Sequence, residues 1–599
     1  MGFYQFPYTN FHELNLQWIL EEMVKLRNAF SAFTAVNTVK YGGIWSATKS
    51  YTKWTIVTTE NESFISLKDV PVGVDIANND YWLKVADLDP RIAALETEIT
   101  EINKLIEKLE NEFDSIPFFF VTNYGAKGDG VADDTNAIQS CMDAAMEKGG
   151  GAVLLPSGTY NISGPLVIRP HTASVDPGGN QDIHFIKMDR LEFVGLGDCI
   201  IKAVASMDKM IYTYDYSYPD NVGSFSNFYT LIENVFFDGN GKAKQAIHLD
   251  HALHSRPQNC QIDGVDVGIY ARGYGDLKIE NNAIRANVAC VSLDSAGDNL
   301  IQGNDFYLSD TGIGVLLTGY AGSTVVNRNT FTPTNMEDEN AQINCTGIKM
   351  QPGVWSGNPA FCTSVRICNN SFDAITTSVY AVSDGSVYVG DINVYSNKCA
   401  NSYGHKTNLF KGEKVSNCII HDNVAGAGYE AYGASGYLAI LESCGSCIIE
   451  NNLTRNTDVI PVVLKNCLQC RINGNTFIDS CIGNTGGCCV LIEGDSYRND
   501  VDGNMFTHSR DDSASTAIRE NGNAGFSTGS NNFTGFTAEY DYSNLTSRWV
   551  NIKTGYSAPT EGTHKVGEVV FNLTEDSTVV GWKCTKSGTP GTWVAFNGT

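Results

Sequence analysis

The sequence predicts a mainly β protein whose largest part is a right-handed parallel β-helix, and three observations carry this prediction. Between residues 279 and 506 a segment recurs nine times, with an apolar residue, two residues, an asparagine, one residue and usually another apolar residue. Consecutive asparagines lie 22 to 41 residues apart, mostly 22 to 29, which suits one coil of a solenoid. The segments combine β-branched residues with Gly/Asn turns and lack the leucine framework of leucine-rich repeats. The asparagines are Asn282, Asn304, Asn329, Asn370, Asn397, Asn423, Asn452, Asn475 and Asn504.

The recurring asparagine has a physical role in such a coil. Asparagine tolerates left-handed backbone, and side-chain amides that stack from coil to coil can hydrogen-bond to one another. We therefore expect a ladder of asparagines along the solenoid.

Composition limits the possible partners. The chain has 599 residues and a net charge of -26, so nucleic acid and anionic membrane surfaces are not expected partners. It contains no run of 18 apolar residues and no basic, apolar leader, so we expect neither membrane insertion nor a secretory signal. We expect the protein to be synthesised in a cytoplasm. We predict no cofactor and no metal.

The N-terminal region predicts a helix followed by a small β-module. Within residues 1–35, FHELNLQWILEEMVKLRNAF is amphipathic, and we interpret it either as a helix packed on its neighbour or as a docking segment. Residues 36–87 are rich in aromatic and β-branched residues. Their ESFISLKDVPVG and NNDYWLKV segments resemble small chitin-binding-like modules, with Phe64 where those modules carry a tyrosine. The resemblance makes Trp54 and Trp82 candidate glycan-binding residues, although most aromatics of so small a domain should form its core.

Residues 88–116 predict a short coiled coil. Apolar residues alternate in steps of three and four, and isoleucine dominates both seam positions, which favours more than two strands. We expect a homotrimer, with an intramolecular hairpin with the first helix as the alternative. The seam residues are Ile92, Leu95, Ile99, Ile102, Ile106, Leu109 and Phe113.

The predicted β-helix domain, residues 117–545, begins with a distinctive segment, GAKGDGVADDTNAIQ. Asp134 is a suitable N-cap for a helix that ends near Gly149. The segment resembles the entry motif of the pectate-lyase-like β-helix superfamily, in which a short helix caps the solenoid. That resemblance implies structural rather than catalytic roles for Asp129, Asp133 and Asp134. Residues 546–599, with Trp582 and Trp593, predict a second small β-module.

Two cysteine pairs allow two interpretations. Cys444 and Cys447, followed after nineteen residues by Cys467 and Cys470, match a four-cysteine zinc pattern. Both pairs also repeat at 23 residues, the step between Asn452 and Asn475. We favour buried thiols at equivalent positions of successive coils.

The longest repeat step is the most plausible place for chemistry. The 41 residues between Asn329 and Asn370 contain Glu337, Asp338 and Trp355, which we interpret as lying on one long loop. Glycoside hydrolysis needs two carboxyl groups beside a sugar platform. The candidate catalytic residues are therefore Glu337 and Asp338, with Asp294 and Asp310 from neighbouring coils. Trp355 is a candidate glycan-binding residue. The alternative is a solvated acidic loop without a catalytic role.

Aligning the coils on their asparagines predicts a row of residues at strand ends. Its last members alternate in charge, so we expect a surface charge ladder rather than an active site. The three histidines of HLDHALH have helical spacing in a strand-like context, which disfavours a metal site. The row comprises Asp250, Asp294, Thr318, Met350, Ser383, Lys411, Glu442, Lys465 and Glu493.

The order of segments completes the functional expectation. Together with the opening YTNFHELNLQWILEEM, it resembles the tail-spike and pre-neck appendage proteins of short-tailed bacteriophages. This implies a homotrimeric virion fibre, attached through its N-terminus to a neck, tail or head protein, that binds a host-surface glycan and depolymerises it. The alternatives are a non-catalytic receptor-binding or structural fibre and a freestanding bacterial polysaccharide lyase or hydrolase.

Overall fold

The computed structural model describes most of the chain. The described residues are 40–59, 62–84, 104, 118–168, 190–213, 229–250, 254–273, 275–338, 340–355, 357–400, 405, 407–426, 436–457, 459–480, 487–509, 516–522, 526–536, 538–542, 552–562, 564, 566–574 and 578–597. The chain divides into two compact units, residues 1–115 and 116–599. The predicted helix in residues 1–35 and, except for Lys104, the predicted coiled coil in residues 88–116 lie outside the described residues.

In the first unit, the described residues form a four-stranded sheet. Its strands are Lys40–Ile44, Thr55–Thr58, Ser63–Ser66 and Trp82–Lys84. Tyr51, Val57, Val70 and Trp82 form its core, with the rings of Tyr51 and Trp82 in edge contact at 5.3 Å.

The second unit contains the right-handed parallel β-helix that the sequence predicts. Each regular coil has three strands, and each strand pairs in parallel with its counterparts in the coils before and after it. We call the strand before the ladder asparagine the first face, the strand after it the second face, and the longer strand that follows the third face.

The regular strands of the three faces are as follows. First-face strands are Tyr229–Glu233, Arg256–Gln258, Lys278–Glu280, Leu300–Gln302, Val325–Asn327, Arg366–Cys368, Asn393–Tyr395, Ile419–His421, Ile448–Glu450, Arg471–Asn473, Asn499–Asp502 and Phe526–Thr528. Second-face strands are Asp305–Leu308, Thr330–Pro333, Ser371–Asp373, Lys398–Ala400, Val424–Ala425, Leu453–Arg455, Thr476–Ile478, Met505–Thr507 and Asn532–Thr534. Third-face strands are Leu166–Ile168, Met207–Thr213, Ile313–Thr318, Thr346–Gln351, Thr377–Val382, Phe410–Glu413, Ala439–Glu442, Val462–Lys465, Cys488–Gly494, Thr516–Gly522 and Ala538–Tyr542.

In the early coils, one continuous strand supplies both the second and third faces. These strands are Phe236–Asp250, Gln261–Arg272 and Ala283–Asp294. The entry to the solenoid contains Phe118–Phe120, Asp129–Asp133, Gly150–Ile162 and Arg190–Ala203. Two pairs of short strands lie outside the main sheet, Gly353–Trp355 with Asn358–Ala360, and Cys362–Thr363 with Val389–Gly390.

The α-helix Thr135–Glu147 follows the entry segment and buries Ile138, Met142, Ala145 and Met146. Asp134 occupies its N-cap position, but the carboxylate makes no cap bond. It instead accepts hydrogen bonds from the backbone N–H groups of Lys127 and Gly128, at 2.6 and 3.0 Å. The residue therefore fixes the glycine-rich entry loop rather than the helix end.

The asparagine ladder is confirmed. The Nδ2 of each asparagine donates to the Oδ1 of the next, for example Asn452 to Asn475 at 2.9 Å, and the Asn452 backbone N–H donates to that same oxygen at 3.0 Å. The ladder continues one coil beyond the repeats found in the sequence, because Asn504 donates in the same way to Asn531. The sequence repeat fails there because Thr528 stands at the usual apolar position.

The interior of the solenoid is filled with apolar side chains, including stacked phenylalanines. Phe477, Phe506 and Phe533 stack with ring centroids 4.9 and 5.1 Å apart. The four cysteines of the two CxxC pairs are also buried, at 0 to 2% exposure, in this core. In the part of the chain that the structure describes, no group of three or more His, Cys, Asp or Glu side chains is arranged to hold a metal ion.

Near the C-terminus, four strands form a separate sheet. They are Ile552–Gly555, Val569–Asn572, Val579–Lys586 and Thr592–Asn597. Among the described residues, no helix is long and apolar enough to cross a membrane.

Candidate functional site

The outer side of the third face carries buried ionisable side chains. In Phe236–Asp250, Ile247 and Leu249 enter the core, so the alternating residues His248 and Asp250 point outward. Both outward side chains are nevertheless only 6% exposed. Charged and polar side chains are rarely so buried unless they are paired, so we expect partners for both residues.

The parallel register aligns outward residues of successive coils. His248 lies opposite Tyr270, while Asp250 lies opposite Arg272, which in turn lies opposite Asp294. Neighbouring strands are about 4.8 Å apart. Asp250 and Asp294 are therefore separated by roughly 10 Å along the solenoid, with the exposed Arg272 between them.

Three polar neighbours surround the His248 imidazole. Its Nδ1 lies 2.6 Å from Oε1 of Gln245, and its Nε2 lies 3.0 Å from Nζ of Lys209 and 3.5 Å from Oδ2 of Asp250. When Nδ1 carries the hydrogen and donates a hydrogen bond to Gln245, Nε2 accepts a hydrogen bond from Lys209. The imidazole is thus held in one orientation between a cation and a carboxylate.

Tyr270 extends the arrangement into the next two coils. Its ring stacks on His248 with centroids 4.8 Å apart, and its hydroxyl donates to Oδ2 of Asp294 at 3.2 Å. Burial, followed by the nearby Asp294 carboxylate, raises the pKa of Tyr270 to about 12. The phenol therefore stays protonated near neutral pH and remains a hydrogen-bond donor.

The strand end beneath these residues is fixed by the preceding coil. Oγ1 of Thr213 accepts from the backbone N–H of Asp250 at 2.6 Å and lies 3.0 Å from its carbonyl oxygen. We define the His248 cluster as Lys209, Gln245, His248, Asp250, Tyr270, Arg272 and Asp294. It offers two carboxylates, one imidazole, one neutral phenol and two cations on one outward face.

A depression of about 440 Å³ adjoins the cluster at the other end of the same strands. Its walls include Asp208, which directly precedes Lys209, and the outward residues Lys244, Asp266 and Asn287 of the following coils. Lys244 forms a salt bridge with Asp208 at 2.8 Å. The depression and the cluster together provide a polar track along the strand direction.

The structure places the four candidate carboxylates in different surroundings. Asp294 belongs to the His248 cluster. Asp310 precedes the strand Ile313–Thr318 and accepts a hydrogen bond from the Asn335 side chain at 3.0 Å. Asp294 ends a third-face strand, whereas Asp310 precedes one, so the two lie at opposite strand ends.

Glu337 and Asp338 lie on an exposed turn before the strand Thr346–Gln351. Oδ1 of Asp338 accepts from the backbone N–H of Asn340 at 2.9 Å, and its carbonyl oxygen contacts Nε2 of His405 at 3.0 Å. These contacts shape the turn.

Trp355 lies on a different loop from these acids, which corrects the interpretation of one long catalytic loop. The strand Thr346–Gln351 separates them, and Trp355 ends the following short strand, Gly353–Trp355. Six residues of strand span about 20 Å. The long repeat step thus contains two insertions at opposite ends of a third-face strand.

The two remaining tryptophans also differ. Trp54 is 44% exposed, has a positive φ of 65° and lies beside the Lys53 ammonium, 5.0 Å from the ring centroid. Trp82 is 1% exposed and belongs to the core of its sheet. Only Trp54 of this pair presents a ring to solvent.

The predicted row of strand-end residues is correct only in part. Glu442, Lys465 and Glu493 do lie opposite one another, with a salt bridge of 2.9 Å between Lys465 and Glu442. Further towards the N-terminus, Gln351 rather than Met350 lies opposite Thr318. Likewise Glu413, not Lys411, lies opposite Glu442. The asparagine alignment fails there because the loops before the third face differ in length.

The aspartates of the entry motif bind backbone and hydroxyl groups of their own region. Asp129 accepts from the N–H groups of Val131 and Ala132, and these bonds lower its pKa. Asp133 binds the hydroxyl groups of Thr135 and Ser163, chiefly that of Ser163, and these bonds lower its pKa. Such contacts are those of structural residues.

Sequence reasoning missed Lys209, Tyr270 and Arg272 as site residues. His248 was noticed only as part of a doubtful metal motif. Lys209, His248 and Tyr270 belong to three successive coils without a shared motif, so only the strand register reveals their contact. The one available signal was HLD at residues 248–250, a strand end with two ionisable residues at alternate positions.

Comparisons with known proteins agree with this architecture. Residues 118–400 match the family described as rhamnogalacturonase A/epimerase, pectate lyase-like. Alginate lyase 7 of Azotobacter vinelandii is 37% identical over 98 residues, which cover 15% of this chain and 10% of that protein. A capsule KN3-specific depolymerase of Klebsiella phage KN3-1 is 27% identical over 245 residues, covering 35% of this chain and 29% of that protein.

The similarity to these relatives is therefore partial, since the chain spans a tenth to under a third of their lengths. Among solved structures, the Dettilon tailspike protein is 16% identical, with a TM-score of 0.37 and coverage of 64% of this chain and 66% of that one.

Proposed function

We propose that the protein binds a polysaccharide along its third face and depolymerises it at the His248 cluster, and the match of residues 118–400 to the pectate-lyase-like family model supports this proposal. One observation carries this proposal. His248 and Asp250 are buried on an outward face, and they are joined to Lys209, Tyr270 and Asp294 by direct contacts or strand register. A solenoid whose interior is filled can act on a long polymer only from outside.

The two carboxylates support hydrolysis with inversion. An inverting glycosidase holds its acid and base about 6.5 to 9.5 Å apart, with room for water. Asp250 and Asp294, two coils apart, come close to the upper end of that range. Arg272 would hold polar groups of the sugar between them, the Tyr270 hydroxyl would orient the Asp294 carboxylate, and the His248 ring would pack against the Tyr270 ring. Lyase chemistry would instead use the His248 imidazole to remove the proton from the carbon that carries the sugar carboxylate and the Tyr270 phenol to protonate the leaving glycosidic oxygen.

The test is a degradation assay on bacterial surface polysaccharides, with products analysed by mass spectrometry. We expect oligosaccharides with new reducing ends from the native protein. Asp250→Asn and Asp294→Asn should each reduce their release about 100-fold or more, while glycan binding persists. Lys465→Met, which alters an ion pair further along the same face, is the control. Products with ultraviolet-absorbing unsaturated sugars would show elimination, and binding without products would leave a receptor-binding protein.

The biological setting that we propose is a bacteriophage virion. The partial similarity to a phage capsule depolymerase supports this setting, as does the resemblance of the N-terminal segment to virion attachment segments. In this proposal residues 1–35 dock on a neck, tail or head protein and residues 88–116 hold a homotrimer. Immunogold labelling of particles and the mass of the purified protein test the two parts separately. A monomer with full degrading activity would favour a freestanding bacterial enzyme.

A further inference from the structure

A second polar group lies on the third face beyond the His248 cluster. Lys349, Tyr380 and Lys411 are outward residues of three successive coils and lie directly opposite one another in the register. The ammonium groups of Lys349 and Lys411 are 5.8 and 5.0 Å from the centroid of the Tyr380 ring. Two cations therefore flank one aromatic ring.

The two lysines differ in how their charge is balanced. Lys411 forms a salt bridge of 2.7 Å with Glu413, and this hydrogen bond lowers the pKa of Glu413. Lys349, in contrast, forms no salt bridge with any described residue, and its ammonium lies over the Tyr380 ring. Lys349 therefore brings to this face a positive charge that no salt bridge with a described carboxylate balances.

Tyr380 is held as a neutral platform. Burial, followed by the neighbouring Glu413, raises the pKa of its hydroxyl to about 12. The phenol therefore brings no negative charge that would compete with an anionic ligand for the lysines. Its contact with Glu413, which is bound to Lys411, also limits the freedom of the Lys411 side chain.

The group of Lys349, Tyr380 and Lys411 lies in the same row of outward residues as Tyr270 of the His248 cluster. The register runs from Tyr270 through Ser292 and Leu316 to Lys349, three coils or about 14 Å along the solenoid. Neither intervening residue is charged. A polymer that leaves the cluster along the solenoid axis would next meet charge at Lys349.

We propose that Lys349, Tyr380 and Lys411 form an anion-binding subsite for a carboxylate-bearing sugar of the polysaccharide cut at the His248 cluster. The ammonium of Lys349 would bind the carboxylate, the ammonium of Lys411 would donate a further hydrogen bond to it from its salt bridge with Glu413, and the Tyr380 ring would pack on the sugar. This inference rests on the proposed function. It adds that the polysaccharide is acidic and that its charge is recognised about 14 Å or more from the cleaved bond.

A glycan array tests the subsite directly. The probes are uronate-containing oligosaccharides, each paired with its carboxyl-reduced neutral form, together with sulfated oligosaccharides that separate carboxylate recognition from general anion binding. We expect the native protein to prefer at least one carboxylated probe. Lys349→Met should weaken that binding about tenfold, and Lys349→Met/Lys411→Met should abolish the preference. Lys398→Met, an exposed lysine on the second face, is the matched control.

The outcomes separate this inference from the proposed function. If the native protein binds carboxylated and neutral partners equally, or if the double variant keeps the preference, the subsite is refuted even if the protein degrades a glycan. On the degraded glycan, the double variant should raise KM with little change in kcat, because the subsite is far from the reacting bond. If the double variant lost kcat equally on the acidic substrate and on its carboxyl-reduced form, the substitutions would have acted on the protein structure, and the subsite would be refuted. Glycan binding that survives without degradation would remove the proposed catalysis and leave the subsite intact.

Discussion

Removing one amide from the asparagine ladder should open the solenoid locally. The Asn475 side chain accepts from the backbone N–H and Nδ2 of Asn452, at 3.0 and 2.9 Å. It donates to the carbonyl oxygen of Ile449 at 2.8 Å and to Asn504 at 3.0 Å. Asn475→Ala deprives two buried backbone groups, the Asn452 N–H and the Ile449 carbonyl, of these partners. Each unsatisfied buried group costs about 1–3 kcal/mol, so the expected loss is about 4 kcal/mol.

Hydrogen exchange of the Asn452 amide measures this loss without requiring a two-state transition of the whole chain. A cost of about 4 kcal/mol corresponds to roughly a 1,000-fold loss of protection at that amide. The control is Asn473→Ala, two residues away at the end of the preceding strand, where the side chain is only half-buried and the cost should stay within about 0.5 kcal/mol. Equal protection in the two variants would refute the idea that the side-chain ladder stabilises the turns.

Three further predictions concern stability and assembly. Gly150→Ala should destabilise the entry coil of the solenoid by about 3 kcal/mol more than Gly149→Ala. A Cβ at Gly150 would lie 2.3 Å from the Arg190 carbonyl oxygen, whereas one at Gly149 meets nothing within 4 Å. Equal thermal unfolding midpoints for the two variants would contradict this prediction. Burial raises the pKa of the Cys290 thiol from 9.0 to about 12, so as the pH rises the unfolded chain loses this proton before the folded chain does. The free energy of unfolding should therefore fall between pH 9 and 12, by up to about 4 kcal/mol. Denaturant titrations of Cys290→Ala should show a smaller fall, and the same dependence of unfolding free energy on pH in both proteins would refute the assignment. Ile99→Glu in the predicted seam should convert a trimer to monomers by mass photometry, and an unchanged mass would exclude the coiled coil as the trimerising element.

Much of the scaffold could be predicted because its determinants are local. Each ladder asparagine is marked within six residues by its apolar neighbours. The capping helix follows directly from the stripe of Ile138, Met142 and Met146. The tenth ladder position, Asn531, was missed because Thr528 breaks the local pattern even though the amide contact persists. Local patterns therefore identify coils but not their exact number.

The candidate site depends on register, which local patterns do not contain. Lys209, His248 and Tyr270 lie 39 and 22 residues apart in sequence and touch only because their strands are neighbours. The sequence reasoning did select Asp294, but it combined this residue with Glu337 and Asp338, which lie on a turn at the other end of a third-face strand. Variable loop lengths before the third face caused both this error and the misplacement of Met350 in the strand-end row.

Strand length explains why the third face is the one that can hold the proposed site. First- and second-face strands such as Leu300–Gln302 and Asp305–Leu308 have three or four residues, whereas Ile313–Thr318 has six. With alternate residues in the core, a longer strand presents two outward positions near its end, and stacking turns these into two parallel rows. The His248 cluster uses both rows, with His248 and Tyr270 in one and Asp250 and Asp294 in the other. A three-residue strand cannot place an imidazole beside two carboxylates in this way, so a change of activity within this scaffold should arise from substitutions in these two rows rather than from the ladder or the core.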